Sequence, residues 1–117
     1  MEMSPLQLQI RELPDCDVIH LGGELDLFSH AGLRWACTDL LQRHHTKIVI
    51  DATRLDFCDC AGLNILINAQ REAERQGGFL RLIGVHGQLA RLLTVAALID
   101  QFPPYADLRQ ARGLSTR

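Results

Sequence analysis

Lys47-Ile48-Val49-Ile50-Asp51 is the stretch on which the reading of this chain turns. It is short, continuous and rich in β-branched residues, with no polar alternation. Such a run predicts a central strand covered on both faces. A strand of that kind needs helices packed against its sheet, so its flanks should be helical. Upstream, Leu33, Ala36, Cys37, Leu40 and Leu41 recur at helical spacing behind Ser29, a good N-cap residue. They predict a helix from Ser29 to about Arg43, with Cys37 on its apolar stripe. His44-His45 then mark a solvated helix end. Downstream, Leu63, Leu66, Ile67 and Gln70 predict a second helix from about Ala61 to Arg75, stopped by Gln76-Gly77-Gly78.

Further out the pattern alternates again. Leu6, Leu8 and Ile10 have the period of a half-buried strand, and Leu13 to Asp17 read as a turn. Val18-Ile19-His20-Leu21 completes a hairpin that Gly22-Gly23 should end. Phe79 to Gly84 reads as a strand, and Leu89, Leu92, Leu93 and Ala96 mark a helix from about Gly87 to Ala96. Phe102 to Tyr105 is a short extended piece, Asp107 to Arg112 a last helical turn, and Gly113 to Arg117 a frayed tail. The order β-β-α-β-α-β-α-(β)-(α) predicts an α/β sandwich, a mixed β-sheet packed against helices. The 117 residues fit a single domain, with its core over about 6–110.

Composition narrows the function classes. Hydrophobic residues are 47% of the chain, charged residues 22%, and the net charge is −2. Lys47 is the single lysine, and no basic stripe suits a nucleic-acid partner. No segment reaches the roughly 18 apolar residues of a membrane span. Met1 to Ile10 lacks the layout of a signal peptide, so a cytoplasmic protein with reduced Cys16, Cys37, Cys58 and Cys60 is expected. Cys58-Asp59-Cys60 has one residue between its thiols, where structural zinc sites have two to four, so no metal is expected. No phosphate-binding loop motif occurs, and no cofactor is expected. Asp26, Asp51, Asp56 and Asp59 fall near expected strand ends, where carboxylates usually cap helices and shape turns.

Two segments carry a family resemblance. Leu21-Gly22-Gly23-Glu24-Leu25-Asp26, ahead of a capped helix, resembles the "L-x-G-E-L-D" signature of STAS domains of the anti-sigma factor antagonist type. Ile48-Val49-Ile50-Asp51 with Leu55-Asp56-Phe57-Cys58-Asp59-Cys60-Ala61-Gly62-Leu63 resembles the block of that family ending in "F-x-D-S-S-G-L". The resemblance implies the STAS-like sandwich and a non-enzymatic protein-binding regulator of transcription. Its implied partner is an anti-sigma factor, often itself a Ser/Thr kinase that phosphorylates the first serine of "D-S-S-G".

This chain departs from the family at the switch. Cys60 holds the phosphoserine position and Ala61 the second serine. Three readings stay open for Cys60: a near-isosteric residue that locks the binding-competent state, a reactive thiol, or a packing residue in a module with another partner. The residue types favour the site in general terms, because a helix N-terminus attracts anions and a phosphate there adds about −1.5 to −2 charges. The expected partner surface joins the Glu24 to Ser29 loop to the Asp56 to Leu63 loop. Asp26, Ser29, Asp59, Cys60, Ala61 and Gly62 come from the resemblance. Phe28 and Asn64 come from position, Phe28 serving equally well as core and Asn64 as a solvated helix residue. The alternative function is a thiol-based redox sensor or enzyme centred on Cys60. Asp59 beside it, with no neighbouring cation or general base in sequence, weighs against that.

Overall fold

The computed structural model describes residues 6–113. Its elements are β1 (Gln7–Glu12), β2 (Asp17–Leu25), α1 (His30–Gln42), β3 (Lys47–Cys58), α2 (Cys60–Arg75), β4 (Phe79–Ile83), α3 (Gly87–Val95) and α4 (Leu108–Ala111). The strands form one mixed sheet in the order β1-β2-β3-β4. β1 and β2 are an antiparallel hairpin, and β3 and β4 each add in parallel. The expected α/β sandwich is the observed fold. Tyr105 makes only an isolated bridge to Ile83, so the extended piece at 102–105 is not a fifth strand. Apart from Gly113, the tail expected over 113–117 lies outside the described residues.

Val49 explains why Lys47 to Asp51 reads as doubly covered. On one face of the sheet, Ile19, Leu21, Ile48, Ile50, Leu80 and Leu82 pack against the apolar stripes of α1, α2 and α3. On the other face, Val18, Val49 and Ile83 pack against Cys16, Ala111, Leu108 and Tyr105. All five stripe residues predicted for α1 are buried, Cys37 included. Gln70 is buried too, and its amide donates to the Leu80 and Gln101 carbonyls at 3.2 and 2.7 Å. That satisfied polar pair ties α2 to β4 and to the segment after α3.

The strands run further than their patterns suggest. β2 continues through Gly22-Gly23 to Leu25, and β3 continues to Cys58. The reason is in the β2–β3 register. His20 pairs with Asp51 but Gly22 with Arg54, and Gly23 pairs with Leu55 but Glu24 with Phe57. Each step inserts one extra residue on β3. A bulge turns the following side chains to the other face. Ala52, Leu55 and Cys58 are therefore all buried at a spacing of three, which period-two reading takes for a loop. β1 departs the other way: Ile10 is exposed at the sheet edge, so the strand is less buried than its alternation implies.

Each of the three long helices ends in the same hydrogen-bonded turn. His44 and His45 N–H bond to Leu41 and Leu40 carbonyls, Gly77 and Gly78 to Glu74 and Ala73, and Ala97 and Leu98 to Thr94 and Leu93. This is the Schellman arrangement, whose C′ residue takes positive φ. Gly77 supplies it without penalty at φ 87°, whereas His44 (φ 64°) and Ala97 (φ 58°) carry a Cβ there. The left-handed conformation costs a non-glycine residue about 1–2 kcal/mol, offset in part by the greater freedom that glycine loses on folding. Ala97→Gly should therefore stabilise the fold by up to about 1 kcal/mol, read as a higher midpoint in urea unfolding with unchanged slope.

Candidate functional site

The parallel pairing of β2 with β3 places the two sequence blocks side by side at the carboxyl ends of their strands, where Leu25 lies opposite Cys58. A single residue, Asp59, links β3 to α2. It is the N-cap: its Oδ1 accepts from the Gly62 N–H at 3.0 Å. Its Oδ2 accepts from the Leu27 N–H at 3.1 Å, and its own N–H donates to the Leu25 carbonyl at 3.1 Å. One carboxylate thus fixes the start of α2 and pins the 24–29 turn beside it.

That turn is held from within. Asp26 Oδ1 accepts from the Phe28 and Ser29 N–H groups at 2.9 and 3.0 Å. Ser29 Oγ donates to the Glu24 carbonyl at 2.7 Å and accepts from the Asp26 N–H at 3.0 Å. Ser29 occupies the N-cap position of α1 but makes no side-chain cap bond, because its hydroxyl is spent closing the turn. Asp26 and Asp59 are therefore turn-shaping groups, with their carboxylates turned onto backbone N–H donors.

Gly62 sets how closely the two layers meet. A Cβ there would stand 2.6 Å from Leu25 Cγ and 3.0 Å from the Leu25 carbonyl oxygen. Leu25 is fully buried and cannot retreat. Gly62→Ala should destabilise the fold by about 1–3 kcal/mol, the usual range for overpacking a tight core, measurable by thermal unfolding.

The expected site residues are brought together at this end of the sheet, with Gly62 buried against Leu25 and the others at or near the surface. Asp26, Phe28 and Ser29 lie on the turn; Cys60, Ala61, Gly62 and Asn64 lie on the first turns of α2. Cys60 is exposed as the first residue of that helix, and Asn64 is exposed on its solvent side. Phe28 is not core: it is 84% exposed. Within the two expected segments the structure also exposes two apolar side chains not singled out from the sequence, Leu27 at 62% exposure and Phe57 at 38%. Phe57 was hidden by the bulge that breaks the alternation of β3. Trp35, also exposed, projects from α1 outside its apolar stripe.

Other candidates separate from this surface. Asp51 lies in mid-strand instead of at a strand end. It accepts from the Thr53 N–H and hydroxyl at 3.0 and 2.6 Å and faces His20 Nδ1 at 2.8 Å. Burial pushes the Asp51 carboxyl up, but hydrogen bonds from Thr53 and His20 outweigh this and hold it below its ordinary value. His45 is not a solvated helix end: it is half-buried with Nδ1 2.9 Å from Asp17 Oδ2, while His44 is exposed.

The four thiols are free and differ in kind. Burial pushes Cys37 up to about 12. Burial, with the Asp59 charge, pushes Cys58 up to about 12. Burial also raises Cys16. Only Cys60 is exposed. A thiolate reagent near neutral pH should therefore label one cysteine in the folded protein, Cys60, and four after denaturation, as counted by mass spectrometry.

The family model described as "Mlab, STAS domain" matches residues 8–104. The chain belongs to the STAS family. An anti-sigma F factor antagonist from Paenibacillus polymyxa is 26% identical over 101 residues, covering 86% of each chain. Among solved structures, an anti-sigma factor antagonist from Mycobacterium paratuberculosis superposes with a TM-score of 0.82 at 20% identity, over 93% of this chain and 92% of that one. The unphosphorylated anti-sigma factor antagonist SpoIIAA gives 0.78 at 23% identity, over 94% and 100%. These solved structures share the STAS fold with this chain. Among the described residues, no helix is long and apolar enough to cross a membrane.

Proposed function

We propose that this STAS domain is a protein-binding regulator of the anti-sigma factor antagonist type, non-enzymatic and cytoplasmic. Its binding surface is the 24–29 turn together with the first turns of α2. The observation that carries this reading is the exposed group Leu27, Phe28 and Phe57 beside exposed Cys60. Large apolar side chains on a turn braced by Asp26, Ser29 and Asp59 suit a partner that covers them. The Paenibacillus polymyxa relative named as an anti-sigma F factor antagonist supports an anti-sigma factor as that partner; that the partner is also a Ser/Thr kinase is what the family resemblance implies.

Phosphorylation at this position is replaced by a fixed state. Cys60 stands where the family has its phosphoserine, and residues 58–63 contain no serine or threonine. Cys60 is close to serine in size and carries no phosphate, so the binding-competent surface persists. The thiol-based alternative gains no support: among the described residues Cys60 Sγ makes no hydrogen bond to a histidine or cation.

The test compares two substitutions against the partner captured from the source cell. Cys60→Ser keeps the size and neutrality and should change binding by less than about 1 kcal/mol. Cys60→Asp adds a charge beside Asp59 on the covered surface, and should weaken binding by several kcal/mol where no partner charge meets it. A helix N-terminus accommodates a carboxylate, so both variants should melt close to the wild type. Calorimetry that gives Cys60→Asp the wild-type dissociation constant removes Cys60 from the interface.

A further inference from the structure

At the opposite end of the sheet, three metal-ligating side chains from three elements converge. Glu12 closes β1, Asp17 opens β2 and His45 follows α1, and one ligand atom of each lies within 4.8 Å of the other two. Asp17 is only 4% exposed, an acidic side chain set against the helix layer. Burying a carboxylate is costly unless a positive group or metal meets it. Its partner here is the His45 imidazole, with Nδ1 at 2.9 Å. A cleft of about 310 Å³, bounded by residues 13–17 and 44–47 and so including Lys47, opens beside Asp17 and His45.

The geometry points to a binding site for one divalent transition-metal ion of borderline character, such as Zn²⁺ or Co²⁺, held by Glu12, Asp17 and His45. One imidazole with two carboxylates is too nitrogen-rich for a calcium or magnesium cage and lacks the thiolates that select copper(I). Three protein ligands leave a fourth tetrahedral position to water. With bonds of about 2.0–2.2 Å, such an ion spaces neighbouring ligand atoms about 3.3 Å apart. The 2.9 Å gap between His45 and Asp17 thus needs only a small opening for the ion to take the place of the bridging proton. Glu12 is exposed and free to turn. Its present neighbour Arg43, at 3.5 Å, also holds Asp39 at 3.1 Å and so keeps a carboxylate when Glu12 leaves. The Schellman turn at the end of α1 fixes the backbone of His45.

The ion clips the hairpin to the α1–β3 connection and stabilises the folded state, which alone assembles the three ligands. The site is separate from the partner surface by the length of β2, eight residue steps from Asp17 to Leu25, or about 26 Å. Its success or failure therefore leaves the binding reading untouched.

The test is Co²⁺ titration of the full chain after chelator treatment, followed by calorimetry and absorption, with Zn²⁺ as competitor. The expected result is one ion per chain, d–d bands without a thiolate-to-cobalt charge-transfer band, and a raised Tm. Glu12→Gln and His45→Gln should each weaken binding by about 100-fold or more, since loss even of outer-shell partners costs about 10–100-fold. Glu12 is exposed, so its variant tests the ligand without disturbing the buried pair. Cys60→Ser should bind as the wild type does. A thiolate band, uptake unchanged in Glu12→Gln, or no saturable uptake overturns the assignment.

Discussion

Parallel pairing between β2 and β3 is the constraint on which the rest of this molecule depends. It brings residues 24–29 and 56–63, far apart in the chain, together at one end of the sheet. Two extra residues on β3 then steer what each strand presents. They keep Ala52, Leu55 and Cys58 in the core while leaving Asp56 and Phe57 outside. A regular strand of the same sequence would keep Ala52 and Cys58 on the core face but turn Arg54 and Asp56 inward in place of Leu55.

Asp59 converts that pairing into a rigid surface. Its carboxylate serves two elements at once, the first turn of α2 and the turn after β2. Gly62 permits the close approach that makes this bridge short, and Leu25 fills the space beneath. Rigidity matters for binding because a preformed surface loses less freedom on association than a mobile one. The residues that brace the turn thus differ from those it leaves exposed: Asp26, Ser29, Asp59 and Gly62 do the first, and Leu27, Phe28, Phe57 and Cys60 are the exposed ones.

The two ends of the sheet carry different chemistry for a structural reason. At the carboxyl ends of β2 and β3, carboxylates meet backbone N–H groups and leave apolar side chains outward. At the amino ends, the hairpin and the α1–β3 connection crowd Glu12, Asp17 and His45 together, where side chain meets side chain. Between the two ends the helix-covered face of the sheet is packed apolar core, while the opposite face carries the His20–Asp51–Thr53 group.

Residue order and type suffice for the succession of elements, the apolar stripes of α1 and α2, the doubly covered run at Lys47 to Asp51, and the replacement of the family's phosphoserine by Cys60. These are local patterns of period and residue type, and such patterns depend on few neighbours. Tertiary structure alone decided where β2 and β3 end, because bulges arise from pairing with another strand and leave no regular period. It also decided that Phe28 faces solvent, that Ser29 closes a turn instead of capping a helix, and that His45 turns inward to Asp17. Each of those outcomes rests on a contact with a residue distant in the chain or on a hydrogen bond with competing partners. Local propensity cannot rank such alternatives; the packed fold selects one of them.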